Sequence, residues 1–257
     1  MKKPPLLSLF LPLLLSLGAC GARHQEQAEL HIFAAVSMTE TMNQIITDYK
    51  TQSPDVTIVP TYDSSGTLLT QIQEGADCDL FLSAAQKQMD ILEETGSLLE
   101  GTRVDLLENK VVLAVPKGNP KGIESFDQLA GLLKSGEVLL AMGNSDVPVG
   151  QYTQKIFGYY GLDESALCLT YGSNVKEVTT QVSEGTVDCG IIYATDAVSA
   201  GLTVVDTATV EMCGQAIYPA AVLADSRHPD EARAFLAYLQ TNHSAKVFES
   251  VGFTALN

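Results

Sequence analysis

The chain has no tryptophan, only 15 lysines and arginines against 31 aspartates and glutamates, and five cysteines, none of them in a C-x-x-C pair. A formal charge of −16 excludes the basic footprint that nucleic acid or an anionic membrane surface attracts, so no nucleic-acid partner is expected. None of His24, His31, His228 and His243 stands at metal-ligand spacing or in a recognisable triad, and no G-x-S-x-G elbow is present. Zinc sites and hydrolase signatures are therefore missing. The longest apolar run, Leu6 to Leu17, holds about 12 residues, against the roughly 20 that a membrane-spanning helix needs. No internal repeat or low-complexity segment follows it.

What the start of the chain does have is Lys2 and Lys3, then that apolar run, then Leu17-Gly18-Ala19-Cys20. This is the layout of an export signal. A cysteine directly after Leu-Gly-Ala resembles the lipobox, where the peptide is cut before the cysteine and its thiol takes up lipid. Residues 1–19 are thus expected to be a signal peptide, with Cys20 the lipidated first mature residue. Residues 20–28, polar and without periodicity, read as a tether. The location expected is extracytoplasmic, anchored to the cell membrane through lipid. About 237 residues remain, enough for one large domain or two lobes. Cys78, Cys168, Cys189 and Cys213 allow three pairings that spacing cannot separate. Cys78 and Cys189 adjoin apolar strand patterns, where buried free thiols are the simpler reading.

Strand-like runs and helix-period runs alternate. Leu30 to Val36 reads as a buried strand, followed by Met38, Met42, Ile45, Ile46 and Tyr49 on one helix face. Val56 to Tyr62 and Leu80 to Ser83 are further strands, with short helices around Leu68 to Ile72 and Met89 to Leu92. The pattern then repeats: strands at Lys110–Val115, Val138–Met142, Leu167–Tyr171, Ile191–Tyr193, Leu202–Val205 and Ile217–Leu223 are interleaved with helices carrying Phe126, Tyr152 and Val178. Two closing helices carry Phe235 and Phe248. Such alternation predicts an α/β fold of βαβ units with largely parallel sheets flanked by helices.

Four strand-to-helix junctions are short, rich in Ser, Thr, Asn, Gly or Pro, and free of arginine. They are Ala35 to Glu40, Asp63 to Thr67, Asp146 to Gly150 and Gly172 to Glu177. In an open parallel sheet these lie beyond the carboxyl ends of the strands, where such folds place ligands. Helix N-termini leave N–H groups unpaired at the positive end of the helix dipole, so several converging would bind an anion without any cationic side chain. Each junction taken alone reads more readily as a helix cap than as a ligand contact. Ser37 with Glu40 fits a capping box, as does Asn174 with Glu177, and Pro148 suits a first helical turn. Recurrence favours the anion site.

Read together, Phe33-Ala34-Ala35-Val36-Ser37, Ser64-Ser65-Gly66-Thr67-Leu68, Gly75 through Ala84, Val147-Pro148-Val149-Gly150, Gly190-Ile191-Ile192-Tyr193 and Gly252-Phe253-Thr254 resemble the molybdate-binding proteins of ABC importers. The blocks fall in that family's order from about residue 29 to the C-terminus. The resemblance implies a two-lobed type II periplasmic-binding-protein fold, with residues 29–112 in lobe 1, 113–220 in lobe 2 and 221–257 returning to lobe 1. The hinge would run through Lys110–Val115 and Ile217–Leu223. It implies a monomer that holds molybdate or tungstate, needs no cofactor or metal cation, performs no catalysis, and serves ABC permease subunits. By matching position, Ser37 and Ser65 would donate hydroxyl and backbone hydrogen bonds, Val149 and Val175 backbone N–H groups, and Tyr193 its phenol. Gly66 stands where the family often has a third serine, and Val149 where alanine is common. Other oxyanions such as sulfate or phosphate, or an enzyme on the same scaffold, remain alternatives at this level.

Overall fold

Two sheets carry the chain, and the computed structural model describes residues 28–256. The signal segment and the lipidation site at Cys20 lie outside the described residues. Strand β1 (Ala28–Ala35) passes through a short 3-10 turn (Val36–Met38) into α1 (Thr39–Gln52), then β2 (Val56–Asp63), α2 (Ser65–Gln73), β3 (Leu80–Leu82), α3 (Gln86–Glu94) and β4 (Val104–Asn109). Next come β5 (Val111–Val115), α4 (Phe126–Ser135), β6 (Leu140–Gly143), α5 (Pro148–Tyr160), β7 (Leu169–Gly172), α6 (Val175–Ser183), β8 (Cys189–Tyr193), α7 (Ala194–Ser199), β9 (Thr203–Thr207) and α8 (Val210–Cys213). The last elements are β10 (Ala216–Val222), α9 (Pro229–Leu239), α10 (Asn242–Glu249) and β11 (Thr254–Ala255).

The first sheet has the order β11-β4-β10-β3-β1-β2 and the second β7-β6-β8-β5-β9. Each has a parallel core of three strands: β1 lies between β2 and β3, and β6 between β7 and β8. Helical crossovers impose that direction. The strands nearest the sheet-to-sheet crossings run antiparallel to their neighbours, β10 against β3 and β4, and β5 against β8 and β9. These strands arrive from the other sheet without a crossover helix, so nothing forces them parallel.

The chain leaves the first sheet after Asn109 and enters the second at Val111, and it returns between Thr207 and Ala216. Both passages lie a few residues before the boundaries expected at 112/113 and 220/221. The apolar runs 111–115 and 217–222 look alike from either side, and only pairing shows that each belongs wholly to one sheet. Strand β4 had no sequence signal. Leu106 and Leu107 are both buried where the pairing with β10 shifts by one residue, and this bulge breaks the alternation of a half-buried strand.

One apolar cluster runs from Leu30 and Ile32 on β1 through Tyr218 on β10 to Tyr193 on β8 and Leu113 on β5. The returning helices complete the first lobe. Phe235 and Tyr238 of α9 each bring their ring to 4.9 Å from Tyr49 of α1. A buried carboxylate fastens the same region: Asp79 accepts from the His31 N–H at 2.8 Å and from the Ser226 hydroxyl at 2.6 Å. Cys78, Cys189 and Cys213 are buried free thiols, whereas the free Cys168 is exposed. No helix among the described residues is long and apolar enough to cross a membrane.

Candidate functional site

The carboxyl ends of the parallel strands of one sheet face those of the other, and the first turns of α1, α2, α5 and α6 meet between them. Whether the polar residues there act as caps is decided by their hydrogen bonds. Ser64, not Ser65, caps α2: its Oγ accepts from the Thr67 N–H at 3.1 Å. Ser65 instead lies buried, its Oγ accepting from the Ala84 N–H at 2.9 Å, which leaves its own proton free to turn elsewhere. Ser37 makes no cap either. It sits within the 3-10 turn after β1, buried, with its Oγ 3.0 Å from the Tyr218 hydroxyl. Asn174 does cap α6, accepting from the Glu177 N–H at 3.2 Å, and this cap sets Val175 at the first helical position. Val147 precedes α5, with Pro148 in its opening turn and Val149 next. N–H groups at such positions have no acceptor inside their own helix.

These elements line a small space between the sheets, shared by all five residues expected from the sequence, Ser37, Ser65, Val149, Val175 and Tyr193. Asp63, Ser64, Ala84, Val147 and Pro148 complete the wall together with Ala35 and Val36. No lysine, arginine or histidine faces it. Asp63 brings a carboxylate to the edge of the wall, with its Oδ1 accepting from the Ser64 N–H at 2.7 Å. Tyr193 reaches from β8 across the cleft, its hydroxyl 3.4 Å from the Ala84 carbonyl. Burial pushes the phenols of Tyr193 and Tyr218 well above their usual range, so both keep their protons. The chemical character of the space is that of hydrogen-bond donors: hydroxyls, helix-start N–H groups and a phenol. Among the described residues no group of three or more His, Cys, Asp or Glu could hold a metal ion.

Two features draw the lobes together beside this space. Lys176 of α6 pairs with Glu40 of α1 at 3.1 Å, so the carboxylate expected to close a capping box with Ser37 bridges the cleft instead. Lys176 also lies 3.4 Å from Asp196, whose side chain is fully buried at the start of α7. The second feature is Gly66 in the first turn of α2, where an added Cβ would come within 2.1 Å of the Asp146 carbonyl oxygen of the opposite lobe. The absent side chain removes a donor and lets the two backbones touch.

Comparison with known proteins gives this geometry its class. Residues 30–254 match the family described as bacterial extracellular solute-binding protein. The chain belongs to that family. It is 35% identical over 233 residues (90% of this chain, 88% of the relative) to YvgL of Bacillus subtilis, provisionally named an ABC transporter substrate-binding lipoprotein. It is 33% identical over 254 residues (96% of this chain, 97% of the relative) to the molybdate-binding protein ModA of Escherichia coli. The fold matches the periplasmic molybdate-binding protein of Azotobacter vinelandii with a TM-score of 0.76 over 88% of this chain and 98% of that one, at 18% identity.

Asp196 yields a pH test. Burial raises its carboxyl from the ordinary 3.8 to about 6, with the Lys176 charge working against the rise. Because the folded form holds this proton more tightly than the unfolded chain, stability falls as pH rises from about 4 to about 6. The shift of roughly two units corresponds to on the order of 3 kcal/mol. Urea unfolding across that window is expected to show the wild type losing stability relative to Asp196→Asn as pH rises. Parallel profiles for the two proteins would show that Asp196 does not titrate in this way.

Proposed function

We propose that this protein captures a fully deprotonated tetrahedral oxyanion, molybdate or tungstate, between its lobes and delivers it to the permease of an ABC importer. The observation that carries the reading is the convergence of the Ser37 and Ser65 hydroxyls, the first turns at Val149 and Val175, and Tyr193 on one space without a cationic side chain. A ligand there must accept hydrogen bonds from every side. The names of the relatives from Bacillus subtilis and Escherichia coli support an ABC importer and molybdate respectively. In the same reading Cys20 carries the lipid that holds the protein at the outer face of the membrane, and the passages at residue 110 and at 208–215 form the hinge.

The preponderance of donors gives the selectivity. Phosphate near neutral pH keeps a proton and needs an acceptor, and burying that P–OH without one costs about 1–3 kcal/mol, roughly tenfold to a hundredfold in affinity. Sulfate is a suitable acceptor but smaller, so closure around it leaves some donors unpaired. The acidic surface is no obstacle, since it slows encounter more than it weakens a bond made inside the cleft.

Calorimetry on ligand-free protein is expected to show molybdate and tungstate binding far more tightly than phosphate. Ser37→Ala and Ser65→Ala should each cost about 1.5–3 kcal/mol in molybdate binding, the range for hydrogen bonds to a charged partner. Serine variants that titrate like the parent would remove both residues from the site, and a folded wild type indifferent to molybdate would sink the assignment. Gly66→Ala should weaken molybdate by at least about tenfold, equivalent to ~1.4 kcal/mol, while leaving the ligand-free protein's thermal midpoint nearly unchanged. Unaltered affinity in that variant would mean that the lobes close without the Gly66–Asp146 approach.

Cell fractionation tests the anchor. Cys20→Ala is expected to release or mislocalise the protein while its molybdate affinity stays the same. Equal membrane retention of the variant would count decisively against lipidation at Cys20.

A further inference from the structure

Behind the ligand space lies a chain of buried polar groups that donor counting alone does not explain. Asn109, the last residue of β4, has its amide orientation set by the Lys110 N–H, which donates to Asn109 Oδ1 at 2.8 Å. Its Nδ2 therefore faces the interior and gives its protons to Thr195 Oγ1 at 2.9 Å and Tyr218 Oη at 3.2 Å. Tyr218 Oη in turn lies 3.0 Å from Ser37 Oγ. Asn109, Thr195, Tyr218 and Ser37 are all buried, so water does not compete for these bonds.

The direction of the chain decides what Ser37 offers the ligand. An amide nitrogen has only protons to give, so Tyr218 must accept from Asn109. Tyr218 has one proton of its own. If it goes to Ser37 Oγ, the single Ser37 proton is left to point into the ligand space. If Ser37 donates to Tyr218 instead, a serine lone pair faces the ligand, which suits a protonated anion and repels a bare one. The first arrangement lets Ser37 give its proton to an acceptor-only anion in the cavity while Asn109 and Tyr218 keep their bonds. We propose that Asn109 and Tyr218 are positioning residues that make Ser37 an obligate hydrogen-bond donor, and that they, through Ser37, set the discrimination between fully deprotonated and protonated tetrahedral oxyanions. The proposal rests on the oxyanion reading of the site and assigns its selectivity to residues outside the cavity wall.

The geometry around Tyr218 makes a clean variant available. Its ring packs edge-on against Tyr193 at 5.6 Å and Phe253 at 5.2 Å, contacts that phenylalanine retains. Tyr218→Phe removes only the oxygen, freeing Ser37 to turn its lone pairs toward the ligand. Asn109→Asp tests polarity without touching the tyrosine, since a carboxylate at that place accepts the Tyr218 proton and withdraws it from Ser37.

The measurement is the ratio of dissociation constants for inorganic phosphate and molybdate, by calorimetry at about pH 8, where both are dianions but phosphate retains one proton. Changes in general electrostatics then affect both ligands and leave the ratio in place, as would a merely structural loss. Both variants are expected to narrow the wild-type ratio by about tenfold or more, molybdate weakening while phosphate holds or improves. An unchanged ratio in both, with molybdate still bound by the wild type, overturns the relay and leaves the oxyanion function standing. Narrowing in Tyr218→Phe alone removes Asn109 from the relay and overturns the polarity argument. A wild type that binds another oxyanion but not molybdate overturns the functional reading, and the relay with it.

Discussion

Helix starts and strand ends that cannot satisfy their own N–H groups are gathered at one place between the two lobes, and the rest of the molecule follows from that. Each parallel strand core delivers its junctions to the same edge of its sheet, and the two edges face each other. A space lined in this way is filled well only by a partner that accepts hydrogen bonds from several directions. The absence of cationic side chains is consistent with this requirement. Fixed peptide dipoles supply positive potential without a mobile charge that would have to be desolvated and reoriented on closure.

Closure itself depends on contacts that bind no ligand. Glu40, Lys176 and Asp196 form a charged line from α1 to α6 to α7 at the rim, with the lysine shared between an exposed and a buried carboxylate. The exposed pair is worth little alone, as solvent-accessible ion pairs usually are. The buried member is the more consequential, because its oxygens lack well-formed hydrogen bonds and its charge is held at a cost. Close to this rim, Gly66 lets backbone meet backbone across the cleft. The two lobes are therefore matched to a narrow range of separations, and that separation fixes how many donors can reach a ligand of given size.

The hydrogen-bond order behind the cavity links this site to the chain passage beside it. Asn109 ends the strand that leaves the first sheet, Thr195 opens α7 of the second lobe, and Tyr218 belongs to the strand that has just returned. One amide thus bonds Thr195 of the second lobe and Tyr218, which in turn meets Ser37.

Much of this was legible in the residues themselves. The alternation of apolar periods predicted the α/β class, since a helix stripe and a buried strand differ in spacing whatever surrounds them. The four arginine-free junctions pointed to strand-to-helix turns, whose turn-forming and small residues have a local cause, and the family resemblance singled out Ser37, Ser65, Val149 and Val175 within them. What stayed hidden was everything decided by distant partners. Strand β4 shows no period because a bulge in its pairing with β10, far along the chain, breaks its alternation. Ser37 carries a capping-box pattern with Glu40 yet caps no helix, meeting instead Tyr218 from 181 positions away, whereas Ser64, with no such box, caps α2. Glu40 likewise finds Lys176 in the other lobe and not the N–H three residues before it. Local sequence determined which groups would be left unpaired at the helix starts; only the folded chain decided which of them meet, what closes over them, and which way their protons point.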